Sequence, residues 1–191
     1  AGHSFGGYTT LAVGGGAYAV DAWQADCPDY ALPRICDALP EAAARYRAGF
    51  ADPRVKALIA MAPGDYLLFL DGLGAIETPV LHLTGRLDRM TTEAGSGTPI
   101  WQALQGPAHR RVQFAAGGHF TFTNLCPWIG GLGRDDGCGP DFTPPAEAHP
   151  VIIEYVWAFL QWQLFGDDAG RALLDGPPLH PAVEVLRKEA E

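Results

Sequence analysis

The chain has 191 residues, 48% of them hydrophobic, and a formal net charge of -9 at pH 7. That is the mass of one domain with enough apolar side chains for a core, which excludes general disorder. The acidity, with no Lys/Arg cluster among interleaved aromatics, argues against a nucleic-acid partner, and no apolar run approaches the roughly 18–20 residues of a membrane span.

In chain order, residues 6–18 read as a helix of small residues, with Gly14, Gly15 and Gly16 allowing it to lie close against a sheet. Residues 21–39 read as irregular, broken by Pro28 and Pro33, and residues 41–48 (EAAARYRA) as a helix ended by Gly49. Val55 to Met61 has the length and apolarity of a buried parallel strand, stopped by Pro63 and Gly64. Pro79 to Leu83 is a second such strand, with His82 read as a core or edge histidine. Thr98 to Leu104 is a short helix with Pro99 in its first turn. Val112 to Ala115 is a third strand, followed by a Gly-Gly loop.

Residues 121–148 are turn-rich. Pro150 to Phe165 carries an apolar stripe at helical spacing through Ile152, Val156, Phe159 and Leu160. Pro181 to Ala190 reads as a short peripheral helix. Helices alternating with strands in this way predict an α/β layer architecture with a mostly parallel sheet.

The cysteines fall in two local pairs, Cys27 with Cys36 and Cys126 with Cys138, at spacings unsuited to a compact zinc site. Two disulfides closing short loops are expected, against the alternative of four free thiols. Paired cysteines imply a secreted or periplasmic setting.

The chemistry begins at Gly2-His3-Ser4-Phe5-Gly6, which fits the nucleophile elbow G-x-S-x-G. A serine on a tight strand-to-helix turn needs small neighbours two residues to either side, and the Phe5 N–H then faces the place where an oxyanion would form. A hydroxyl nucleophile requires a base, and the base an orienting acid. Asp88, in the turn after Pro79–Leu83, is the favoured acid; Asp65, after the preceding strand, is the alternative, and Glu93 is a weaker one. His119, after the third strand, is the expected base, while His3 supports the elbow and His109, His149 and His180 lie elsewhere. Tyr8, Tyr66, Phe120, Phe122 and Trp128 are the residues expected to line a substrate pocket. This chemistry calls for no metal and no organic cofactor.

Through GHSFGG, VKALIAMAPG, TPVLHLTGRLD, FAAGGHFTF and VWAFLQWQLFGD, the chain resembles the α/β-hydrolase family. It looks closest to the dienelactone-hydrolase-like and platelet-activating-factor-acetylhydrolase-like serine esterases. The resemblance implies Ser4 as nucleophile, Asp88 as acid, His119 as base and Phe5 as one oxyanion donor. Dienelactone hydrolases proper carry Cys at the position of Ser4, so a serine esterase acting on an apolar or lipid-like ester is expected. An acyltransferase with the same triad, or a non-catalytic module on the same fold, is the alternative. Because the elbow lies at the first residues, residues 1–191 are expected to form the C-terminal part of one catalytic domain, with its N-terminal part as a bound or unshown segment.

Overall fold

The structure, a computed structural model, describes residues 1–27, 33–129 and 135–188. A five-stranded sheet runs in the order β1 to β5. Its strands are β1 (Gly2–His3), β2 (Leu58–Met61), β3 (Val80–Gly85), β4 (Arg110–Phe114) and β5 (Val183–Arg187). The first four are parallel and β5 joins β4 antiparallel. The architecture is therefore a mixed, mostly parallel sheet flanked by helices, as in α/β-hydrolases.

Every residue of β3 is buried, as a central strand covered on both faces requires. Leu81 and Leu83 point to one layer, where Val112 and Phe114 of β4 meet Ile152, Tyr155 and Phe159 of α7 (Pro145–Phe165). Val80 points to the other, with Leu11 of α1 (Phe5–Val13), Ala60, Leu73, and Ile100 of α5 (Thr98–Ala103). Burying a side chain such as Phe159 contributes on the order of 2–3 kcal/mol. A smaller cluster joins Val20 and Trp23 of α2 (Val20–Asp26) to Leu39 and Ala43 of α3 (Pro33–Ala48).

Several boundaries differ from the sequence reading. The glycine run ends α1 rather than extending it: Gly14 N–H donates to Thr10 O, Gly15 sits at φ 104° and Gly16 N–H donates to Leu11 O. Much of the stretch expected to be irregular is helical, in α2 and α3, because their apolar faces bury against each other. Residues 28–32 of that stretch, and residues 130–134 of the second cysteine loop, lie outside the described residues.

Short helical turns α4 (Tyr66–Phe69) and α6 (Cys126–Ile129), and a 3-10 segment at Leu70–Ala75, occupy what read as loop. Helix α7 starts at Pro145, five residues before Pro150. Fully buried Ala148 anchors that extra turn in the core, which outweighs the backbone bond Pro150 cannot donate. Helix α8 (Asp168–Asp175) follows, capped by the Asp167 carboxylate on Ala169 N–H.

The expected terminal helix is overturned: Val183–Arg187 is strand β5, and the last residues of the expected helix lie outside the described set. Val183 and Val185 pair with Phe114 and Val112. The reason is tertiary, since β4 would otherwise present an unpaired edge, and pairing overrides a weak local helix preference.

Both expected disulfides are formed, Cys27–Cys36 and Cys126–Cys138.

Candidate active site

The elbow is built by β1 and α1. Gly2 and His3 pair with Ala60 and Met61, and Ser4 N–H donates to Met61 O at 2.9 Å. The chain then reverses at Ser4, with φ 56° and ψ -119°, and enters α1. Such backbone is uncommon for a residue with a side chain and costs about 1–3 kcal/mol, held by the surrounding structure. A Cβ on Gly2 would overlap the Gly6 carbonyl, so the first elbow glycine is required. The second is not required for space: among the described residues, a Cβ on Gly6 meets nothing within 4 Å. The need for a small residue falls on Gly2 and on Gly7, where a Cβ would come within 3.0 Å of Pro63.

The turns after β3 and β4 meet each other. A Cβ on Gly85 would overlap Gly117 O, and Leu87 N–H donates to that oxygen at 2.9 Å. Close approach of these backbones brings Asp88 and His119 together, both nearly sealed from solvent at 5% and 1% exposure. His119 Nδ1 donates to Asp88 Oδ2 at 2.9 Å, and His119 Nε2 accepts from Ser4 Oγ at 2.9 Å. An imidazole with its proton on Nδ1 leaves the Nε2 lone pair free for the serine hydroxyl. This is a serine-hydrolase catalytic triad. Its geometry is typical of serine hydrolases acting on esters.

Asp88 is held as a carboxylate. Burial alone would push its carboxyl up, but the bonds from His119 and Thr91 outweigh that and leave it below the ordinary value. Oδ1 accepts Met90 N–H at 2.8 Å and Thr91 N–H at 2.7 Å, while Oδ2 also accepts the Thr91 hydroxyl at 2.7 Å. Thr91 was not among the residues singled out from the sequence. Its signal is an Asp followed three residues later by Thr, a local turn pattern that is common in loops.

His3 donates from Nε2 to the His119 carbonyl at 2.7 Å, as expected of a support for the elbow. Burial outweighs that bond and keeps His3 below its ordinary value. Asp65 does not enter the triad. It stands at the cavity wall on left-handed backbone (φ 58°), where partial shielding raises its carboxyl above the ordinary value, and His119 Nδ1 is engaged by Asp88 instead. Glu93 is taken up by Arg111, Gln113 and Thr98.

A cavity of about 510 Å³ opens at Ser4, walled by Phe5, Asp65, Tyr66, Leu68 and Met90. Of the residues expected to line a pocket, Tyr66 does so. Tyr8 lies behind the wall, stacked on Phe5 and hydrogen-bonded to Tyr18 at 2.9 Å. Phe120 packs edge-on against His119 with ring centroids 5.2 Å apart. Phe122 is a core residue against Phe114, and Trp128, 79% exposed, stands on α6 away from the cavity. Side chains next to a catalytic histidine turn to whichever side buries them, and for Phe122 that side is the layer under α7.

No protein-family model matches the chain, and no curated protein matches it. Among the described residues, no group of three or more His, Cys, Asp or Glu side chains is placed to hold a metal ion, and no helix is long and apolar enough to cross a membrane.

Proposed function

We propose that the chain hydrolyses apolar or lipid-like carboxylic esters through an acyl-enzyme on Ser4. The observation that carries the reading is the unbroken line from Ser4 Oγ through the His119 ring to Asp88, at 2.9 Å on each side. In this reading His119 takes the proton as Ser4 attacks the ester carbonyl, and the alcohol leaves with that proton. Water activated by the same imidazole then releases the acid. Asp88 fixes the ring and stabilises the imidazolium.

Phe5 is the first residue of α1, so its N–H lacks an intrahelical acceptor and can serve the developing oxyanion. One such donor contributes roughly 3–4 kcal/mol to the barrier reduction. The walls formed by Phe5, Tyr66, Leu68 and Met90 support an apolar acyl or alcohol group, and the cavity falls within the roughly 300–1,000 Å³ of small-molecule sites. Serine at position 4 supports the esterase branch of the dienelactone-hydrolase-like and acetylhydrolase-like groups over lactone opening. The two disulfides support a secreted or periplasmic setting.

The test is fluorophosphonate labelling with peptide mapping, joined to hydrolysis of a p-nitrophenyl ester series of rising acyl length. Label on Ser4, lost together with hydrolysis in Ser4→Ala, is the expected result. Absence of both in the folded parent overturns the reading. Product analysis with added alcohols separates hydrolysis from acyl transfer.

A further inference from the structure

We propose that Asp136 is a positioning residue for the triad, a buried carboxylate that clamps the loop carrying the acid to the loop carrying the base. Its effect on turnover rests on the esterase reading above. Asp136 Oδ1 accepts His119 N–H at 2.9 Å, and Oδ2 accepts the N–H of Arg89, the residue after Asp88, also at 2.9 Å. The Asp136 carbonyl accepts Phe120 N–H at 2.8 Å. One residue thus holds the backbone on both sides of the His119–Asp88 bond.

The chemistry of the side chain suits this task and little else. Asp136 is 7% exposed, and among the described residues no Lys or Arg side chain pairs with it. A carboxylate taken from water costs several kcal/mol unless hydrogen bonds replace the lost hydration. Here the replacement comes from two main-chain donors on separate loops. Charge-assisted bonds of this kind are about twice as strong as neutral ones. An amide offers a single acceptor oxygen and an alkyl group none, so only a carboxylate holds both loops at once.

The surroundings are cut to admit it. A Cβ on Gly118, the residue before His119, would overlap Asp136 Oδ1 and the Gly137 nitrogen. The base loop is bare where the carboxylate reaches in. Asp136 itself sits in a turn closed by Cys138 N–H on Asp135 O at 2.8 Å, and Cys138 is bonded to Cys126. The side-chain bond between His119 and Asp88 fixes only the distance between two atoms. The clamp fixes the two backbones, and so the direction in which Nε2 faces Ser4.

The test compares the parent with Asp136→Ala and the near-isosteric Asp136→Asn, using p-nitrophenyl butyrate. The expected result for Asp136→Ala is kcat lower by about 10- to 100-fold with KM changed by less than about threefold, because a small misplacement of catalytic groups costs rate rather than binding. Fluorophosphonate labelling should slow in the same proportion, and Asp136→Asn, which keeps one acceptor, should fall between parent and alanine. Melting temperature is read alongside. A kcat within about twofold of the parent in both variants, whatever the melting temperature, makes Asp136 purely structural and overturns the proposal.

If the alanine variant does not fold, Asp136→Asn decides by the same criterion. The downfield proton resonance of His119 Nδ1–H reads the geometry without turnover: it should shift or broaden in the variants, and an unchanged resonance overturns the clamp. A parent with neither hydrolysis nor label overturns the esterase reading, and the resonance still decides on Asp136.

Discussion

Gly2 and Gly6 are not equivalent, although the elbow motif treats them alike. Gly2 has the Gly6 carbonyl where its Cβ would be, while a Cβ on Gly6 meets no neighbour among the described residues. Gly2→Ala should therefore destabilise the fold by about 1–3 kcal/mol or more through overpacking and should abolish activity. Gly6→Ala lies in the first turn of α1, where alanine favours the helix, and should leave the melting temperature equal or slightly higher. Thermal melts and ester hydrolysis on the two variants check the asymmetry. Equal damage in both would refute it.

The two aspartates compared from the sequence should separate cleanly in kinetics. Asp88→Asn keeps the shape but offers the imidazole the wrong partner, so kcat should drop by roughly 10³- to 10⁴-fold. Asp65→Asn leaves the His119–Asp88 bond in place and alters only the cavity wall, so the change should be a few-fold and vary with the alcohol group of the ester. Steady-state rates over several esters give the comparison.

Acid should destabilise the protein well before its carboxylates protonate. His82 is fully buried on β3, both ring nitrogens without a partner among the described residues, and burial, then the charge of Arg111, holds it well below its ordinary value. Burial also lowers His109, to about 4. Both are neutral when folded, and both take a proton near pH ~6.5 when unfolded. Their contribution is thus complete above that pH and is lost as pH falls, for His109 down to about 4. Asp88, with its lowered carboxyl, adds a separate loss below pH ~4. Urea unfolding at several pH values should show this slope. His82→Leu should flatten it and raise stability at neutral pH, since it removes two buried polar atoms that have no partner among the described residues.

The two disulfides should differ in what they control. Each closes a short loop and should contribute about 3 kcal/mol to stability. Cys27–Cys36 lies at the α2–α3 pair, so its double serine variant should lower the melting temperature and leave kcat unchanged. Cys126–Cys138 anchors the turn bearing Asp136, so its double serine variant should lower both. Measuring kcat below the melting transition of each variant separates the two effects.

The triad was legible because its signals are local and ordered. An elbow, an aspartate just past one strand and a histidine past the next report positions at strand ends, and the sheet brings those ends together. The central strands were legible for a related reason, since burial on both faces leaves a continuous apolar run. Val183–Arg187 was not, because its state depends on the free edge of β4, a partner far away in the chain. Asp136 was invisible for the same kind of reason: in an acidic turn it looks like any solvated aspartate until the loops of Arg89 and His119 close on it. Phe122 and Trp128 show the limit of reading a pocket from proximity, because closeness to His119 in the chain does not tell which way a ring turns.

The left-handed backbone at Ser4 carries a consequence for how such a chain evolves. Any side chain at that position holds the same unfavourable angles, whereas glycine adopts them freely. A glycine there would relieve the strain but would also remove the hydroxyl that bonds His119 Nε2. The serine thus carries a backbone cost that only turnover repays, and selection for turnover is what keeps it at the bend.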